Sequence, residues 1–277
     1  MHDTKPSASA QTVAMCRAVL TSMRVVDDPL AATMLHRPRR VVARCCSYRP
    51  FGRLTRNPTF SFLAARTRFF DEAVTSALDS GIEQVAIIGA GYDSRAWRLA
   101  RPAVRFYEVD HPATQRDKRR HAPRGGPTFI AADLDTDRLS VLLPAAGFDT
   151  SRRAVFVVEG VTMFLSESAV RRVLGDLSTL SPFGSRLGVN FTDAGGGPNS
   201  PLSRSIAWIT RLIWPAGGEP TFSWFRPQAL SELLLATGWK AHDVVQGPEL
   251  GVRYLSGSGL QLDGLNPGAV CVVADRA

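Results

Sequence analysis

Two glycines in Gly89-Ala90-Gly91 directly follow the apolar run Val85 to Ile88 and precede Tyr92-Asp93-Ser94, where Asp93 or Ser94 can cap a helix. Residues without a Cβ let a backbone turn tightly and approach a ligand closely. A dinucleotide turn of the form G-x-G-x-x-G calls for a third glycine at position 94, where this chain has Ser94. A carboxylate follows about twenty residues past the turn, in Tyr107-Glu108-Val109-Asp110, where such folds hold ribose hydroxyls. Strand alternation puts Glu108 and Asp110 on one face. Asp110, at the tip, is the better hydroxyl acceptor, and a cap before Pro112 is the other role open to it. Two more apolar runs end acidic, at Asp133-Leu134 and at Glu159-Gly160. Packing does not account for three successive strand tips ending in carboxylates.

Groups for proton transfer are scarcer. His111 falls beside Asp110, His36 and His121 lie in basic surroundings, and His242 belongs to an edge strand, so no catalytic base is assigned. Cys16, Cys45, Cys46 and Cys271 show no C-x-x-C spacing, and the adjacent Cys45 and Cys46 are poorly placed to ligate one ion together, so no metal site is expected. The net charge of +8 is concentrated partly in Arg37, Arg39, Arg40, Arg44, Arg49, Arg53 and Arg56. Such a run is either a solvated face or an attraction for an anionic partner: a carboxylate substrate, a phosphopantetheine carrier or nucleic acid. No nucleic-acid-binding signature accompanies it, which weighs against the last.

The elements that must position these groups follow a repeating order of apolar run, turn and amphipathic helix, the pattern of βαβ units and a parallel sheet. Strands are expected at Gln84 to Gly89, Val104 to Val109, Thr128 to Ala131, Ala154 to Glu159 and Leu187 to Phe191. Trp239 to Val245 and Ala269 to Ala274 are two more, joined by a loop and therefore antiparallel neighbours. Before the sheet come helices, one from Gln11 punctuated by Asp28-Pro29, a short second one, and one from Ser61 to Leu78 ended by Ser80-Gly81. The first ten residues look frayed. Residues 195–227 form a Gly/Pro-flanked insertion rich in large apolar side chains, including Trp208, Trp214, Phe222 and Trp224. An insertion after a strand's carboxyl end is placed either to cover an acceptor pocket or to add a packing layer. The chain thus divides into a helical cap (1–80), a Rossmann-like core (81–194 and 228–277) and a lid (195–227) within one domain.

The segments VAIIGAGYDSRAWRL, FYEVDHPATQRDKR, ADLDTD and FVVEGVTMFL together resemble the leucine carboxyl methyltransferase family, and more narrowly its actinobacterial branch of S-adenosylmethionine-dependent methyltransferases. The similarity runs from about Gln11, through ARTRFFDEA at Ala65 to Ala73, to at least Leu174. It implies a class I methyltransferase fold: a mostly parallel seven-stranded sheet with an antiparallel last strand, a helical N-terminal extension and an inserted lid. It also implies S-adenosylmethionine as cofactor. Arg66 matches the family's arginine for the methionine carboxylate, a role suited to a guanidinium fork. Gly89 and Gly91 would line the methionine end with Asp93 beside them, Asp110 would take the ribose hydroxyls, and Asp133 and Leu134 would flank the adenine. Glu159 matches a glutamate near the methionine amino group and the acceptor. ADLDTD lacks the tryptophan that often follows in this branch, and Gly247 to Gly268 matches no family pattern, so the acceptor side is the less defined one.

The resemblance favours methyl transfer to an oxygen, carboxylate or hydroxyl, of a small-molecule acceptor, anionic or carrier-bound. A carboxylate is already ionised at neutral pH and needs no base, whereas a hydroxyl would benefit from one. The competing readings are a nicotinamide-dependent oxidoreductase, against which stand Ser94 and the lack of a Tyr-x-x-x-Lys pair, and a nucleic-acid-binding protein using Arg37 to Arg56. No apolar run reaches the ~18 residues of a membrane span. The N-terminal segment lacks a basic patch followed by an apolar stretch, so a cytoplasmic location is expected.

Overall fold

The computed structural model describes residues 5–46, 58–192, 223, 225, 227–260, 265 and 268–277. Helices α1 (Ala8–Ser22), α2 (Arg37–Cys46) and α3 (Pro58–Asp79) lead into β1 (Gln84–Ile88), α4 (Arg95–Arg98), β2 (Arg105–Asp110), α5 (Pro112–His121), β3 (Thr128–Ala131), α6 (Leu139–Ala145), β4 (Val155–Val158), a 3-10 turn at Thr162–Phe164, α7 (Glu167–Thr179) and β5 (Arg186–Thr192). After the insertion come α8 (Pro227–Ala236), β6 (Trp239–Gln246), α9 (Gly247–Leu255) and β7 (Ala269–Arg276).

The seven strands pair in the order β3-β2-β1-β4-β5-β7-β6, with β7 antiparallel to both neighbours and the first five parallel. This is the seven-stranded arrangement of a class I methyltransferase. Both faces of the central strands are covered, as a parallel sheet requires. Val85, Ile87, Val155, Val157, Cys271 and Val273 face the layer containing α1, α3 and α9. Their neighbours Ala86, Ile88, Phe156, Val158, Val270 and Val272 face the layer of α6, α7 and α8. One residue of register thus decides which layer a side chain joins.

Three expectations are corrected. The strands β6 and β7 are antiparallel neighbours, but the connection between them contains α9, whose Pro248 sits in the first turn where no intrahelical donor is lost. The N-terminal segment is not frayed through residue 10: Ser7 caps α1 by accepting the Ala10 N–H at 3.1 Å, and its own N–H donates to Thr114 Oγ1 at 3.1 Å. The first helix ends at Ser22, ahead of Arg24 at φ 60°, rather than reaching Asp28-Pro29. Helix α3 ends at Asp79, and the expected stop follows at Ser80-Gly81, with Gly81 at φ 84°. Trp208, Trp214, Phe222, Trp224 and most of the insertion lie outside the described residues, as do Arg49, Arg53 and Arg56. No helix among the described residues is long and apolar enough to cross a membrane.

Candidate active site

The chain leaves β1 toward β2 on one side and reaches β4 on the other, so the carboxyl ends of β1 and β4 flank the switch point where open α/β sheets form their crevice. The glycine turn sits there with Gly89 at φ 65° and Gly91 at φ 49°. A Cβ on Gly89 would come within 2.3 Å of Val161 Cγ2, and one on Gly91 within 2.8 Å of the Ala10 side chain. Glycine is therefore required by backbone angle and by space at once. The contact with Ala10 also shows that α1 lies over the turn.

Asp110 orients this turn. One carboxylate oxygen accepts the Gly91 N–H and the other the His111 N–H at 2.6 Å. The capping role and an acceptor role are compatible, because each oxygen keeps a further lone pair. Burial pushes the Asp110 carboxyl above its ordinary range, and the two N–H groups oppose that shift. Glu108 on the same face is occupied differently: Lys118 Nζ lies 2.6 Å from Glu108 Oε2 and both side chains are buried. Burial pushes Glu108 up to about 7 against the pull of Lys118. His111 caps α5, its Nδ1 accepting the Ala113 N–H at 3.3 Å.

Arg66 and Glu159 meet across 93 residues of sequence. Arg66 Nε donates to Glu159 Oε1 at 2.8 Å, with both side chains under a tenth exposed. Arg66 is therefore not a solvated surface charge of α3. Its guanidinium nitrogens lie 3.4 Å from where a Cβ on Gly160 would stand, so the glycine after Glu159 leaves room for the arginine head. The Gly160 N–H donates to Asn190 Oδ1 at 2.6 Å, fixing the exit of β4 to β5.

Behind this pair sits Arg95, 1% exposed. Its Nη1 donates to Glu159 Oε2 at 2.7 Å and to Asp93 Oδ2, and its Nε to Asp71 Oδ1 at 2.6 Å. Arg98 adds two contacts of 3.0 Å to Asp71. Arg17 of α1 pairs with buried Asp28 at 2.9 Å and donates to the Tyr92 carbonyl at 2.6 Å. Four guanidiniums (Arg17, Arg66, Arg95, Arg98) thus face four carboxylates (Asp28, Asp71, Asp93, Glu159). Burial would raise the Asp93 pKa, but Arg95, Arg17 and Lys118 outweigh it and hold the carboxyl well below its usual range. Asp93 also accepts the Arg95 N–H at 2.7 Å, whereas Ser94, the other expected cap, directs its hydroxyl to Asp28 at 2.7 Å.

Asp133 is exposed in the turn after β3, accepting the Asp135 N–H at 3.0 Å, and Leu134 is half-buried against the α6–α7 layer. These two remain at the carboxyl edge of the sheet, separated from Glu159 by the two strands β2 and β1 and outside the ion-pair network. The insertion returns to the sheet where it left: the Phe225 N–H donates to the Thr192 carbonyl at 3.0 Å. Buried Ser223 directs its hydroxyl to the Thr162 and Leu165 carbonyls, on the segment just past Glu159-Gly160.

Sequence reasoning missed Arg17, Asp71, Arg95 and Asn190. Arg95 stood inside the glycine-turn segment YDSRAW, and a charged residue between Ser94 and Ala96 in an otherwise buried turn was the available signal. Asp71 and Arg17 carried none beyond their place on helices.

The leucine carboxyl methyltransferase family model matches residues 10–178. A Mycobacterium marinum protein named "Putative S-adenosyl-L-methionine-dependent methyltransferase" is 32% identical over 229 residues, covering 76% of this chain and 71% of that one. Among solved structures, a DUF574 family protein from Streptomyces avermitilis superposes with a TM-score of 0.60 at 15% identity, covering 95% of this chain and 97% of that one. A Thermobifida fusca YX protein titled "putative methyltransferase" gives a TM-score of 0.55 at 18% identity, covering 98% and 95%. The structural likenesses bear on the fold, and the match over residues 10–178 bears on the family. This chain belongs to the leucine carboxyl methyltransferase family of S-adenosylmethionine-dependent methyltransferases.

Proposed function

We propose that the protein transfers the methyl group of S-adenosylmethionine to an oxygen of a small-molecule acceptor, with the Arg66–Glu159 pair receiving the amino-acid end of the cofactor. The observation that carries this reading is the pair itself: a buried guanidinium and a buried carboxylate in contact at 2.8 Å, at the carboxyl end of β4 and next to the glycine turn. An amino-acid zwitterion is the complement of such a pair, its carboxylate matching Arg66 and its ammonium matching Glu159. Burial of the pair means that an entering zwitterion exchanges one set of desolvated charge contacts for another.

The cofactor supplies an activated sulfonium methyl for in-line displacement, and the chain mainly aligns an acceptor behind it. Gly89 and Gly91 admit the methionine portion, Asp93 lies beside them, Asp110 offers its remaining lone pairs to the ribose hydroxyls, and Asp133 and Leu134 border the adenine. Replacing Asp110 with alanine is expected to weaken S-adenosylhomocysteine binding by roughly 1.5–3 kcal/mol through loss of a charged acceptor. Calorimetry on both proteins reads this directly. Unchanged affinity in a folded variant removes Asp110 from the ribose site.

The return of the insertion beside Thr162 and Leu165 supports its role as an acceptor-side cover. On this reading Trp208, Trp214, Phe222 and Trp224 line an apolar pocket near Glu159 for a small carboxylate or hydroxyl compound, free or carrier-bound. The experiment is transfer of labelled methyl from S-adenosylmethionine to panels of carboxylic acids, phenols and amines. Base-labile label marks a carboxyl ester, base-stable label on a phenol marks an ether, and transfer confined to amines defeats the oxygen reading. With an acceptor in hand, Trp208→Ala and Trp224→Ala should each lower turnover by about tenfold or more while S-adenosylhomocysteine affinity stays within about twofold. Joint loss of cofactor affinity and thermal stability would instead make the insertion part of the core.

A further inference from the structure

We propose that His36, Asp117 and His121 form a binding site for a divalent transition-metal ion of the zinc class, which straps the N-terminal helical cap to α5. Ligand atoms from the three side chains lie within 4.8 Å of one another. His36 Nε2 is 2.7 Å from Asp117 Oδ2, and His121, one helical turn after Asp117, has Nδ1 4.0 Å from the same oxygen. The two imidazole rings stand 5.5 Å apart at their centroids. Zinc–nitrogen bonds of about 2.0–2.1 Å at a tetrahedral angle put two coordinated imidazole centroids about 5 Å apart, so the rings are already near the required spacing.

The donors select the ion. Two imidazole nitrogens and one carboxylate oxygen suit zinc, cobalt or nickel, whereas magnesium and calcium take oxygen sets. Asp117 is held as an anion: burial raises its pKa, but hydrogen bonds from Tyr92 and His36 outweigh that and lower it overall. The ion would take the place of the direct His36 Nε2–Asp117 Oδ2 hydrogen bond, accepting a lone pair from each atom.

Neighbouring groups already hold the ligands. The His36 N–H donates to Gln11 Oε1 at 3.3 Å, tying its backbone to α1. His121 Nδ1, 2.9 Å from the Asp117 carbonyl, would give up that contact to bind the ion, while the Tyr92 hydroxyl donates to Asp117 Oδ2. Outer contacts of this kind set ligand orientation in metal sites. Two of the nearby cations are engaged elsewhere: Arg39 donates to the Ala8 carbonyl at 2.9 Å and Arg40 to the Thr33 carbonyl at 2.6 Å.

The consequence is mechanical. His36 and Asp117 are 81 residues apart, one on the cap and one on a sheet-packed helix, and Tyr92 of the glycine turn bonds the shared carboxylate. An ion here clamps α1 and the 36–46 segment over that turn.

The test is titration of the chelator-stripped full chain with cobalt(II) and zinc(II). We expect one equivalent of cobalt with the visible absorption of a low-coordinate site. Zinc at a hundredfold excess over its Kd should raise Tm by about 5–10 °C. His36→Ala and His121→Ala should each weaken cobalt binding by roughly 100-fold or more, with S-adenosylhomocysteine affinity reporting that the fold is retained. X-ray absorption on the zinc-loaded wild type gives the answer without variants: two imidazoles and light oxygen neighbours are expected. Sulfur neighbours, which would point to Cys45 or Cys46, overturn the proposal. So does binding that survives both substitutions, or an absence of binding.

Discussion

Arg95→Met should lower global stability by about 3–5 kcal/mol, because deleting one partner of a buried ion cluster strands the rest. Arg95 is 1% exposed and contacts Asp71, Asp93 and Glu159 at once. In a chain of this size the loss corresponds to a fall in Tm of about 6–20 °C. Arg95→Lys should recover little of it, since a single ammonium cannot reach three carboxylates with the fork of a guanidinium. Pairing Arg95→Met with Asp71→Asn should cost less than the sum of the single changes, because the second substitution removes a charge that the first left unpaired. Thermal and urea unfolding of the wild type, the three single variants and the double variant measures all three statements. If Arg95→Met melts like the wild type, the cluster is not what joins α3, the glycine turn and β4.

The second large effect is on ligand discrimination. Arg66→Ala should weaken S-adenosylhomocysteine binding by roughly 10- to 150-fold, the equivalent of about 1.5–3 kcal/mol for a charged hydrogen bond. Adenosine, which carries no carboxylate, should lose less than about threefold. Stability should change less than in Arg95→Met, because Glu159 keeps its 2.7 Å contact with Arg95 when Arg66 is gone. Titration of both ligands into both proteins separates the outcomes. Equal losses for the two ligands would place Arg66 in a structural role only.

Part of this site was legible from local pattern. A strand's end is marked by where an apolar run stops, so Gly89-Ala90-Gly91, Asp110, Asp133 and Glu159 could be placed at strand tips from composition along short segments. All of them end on the same edge of the sheet because the first five strands are parallel. The helix α9 was not legible, since GPELGVRYL contains two glycines and a proline and has poor intrinsic helix propensity. Its buried Leu250 and Leu255 belong to the layer containing α3, so packing rather than propensity supports it.

The amino-acid sequence by itself determined the order of the strands, the glycine turn, the family and the acidic tips, because each is written in residues close together along the chain. The tertiary structure decided the partners. Arg95 reaches Glu159 across 64 residues, Arg17 reaches Tyr92 across 75, and His36 reaches Asp117 across 81. It also decided that Glu108 is spent on Lys118 while Asp110 stays at the tip, although both carboxylates lie on one strand face. Charge pairing depends on distance in space and on exclusion of water, and neither follows from spacing along the chain until the sheet has brought the segments together.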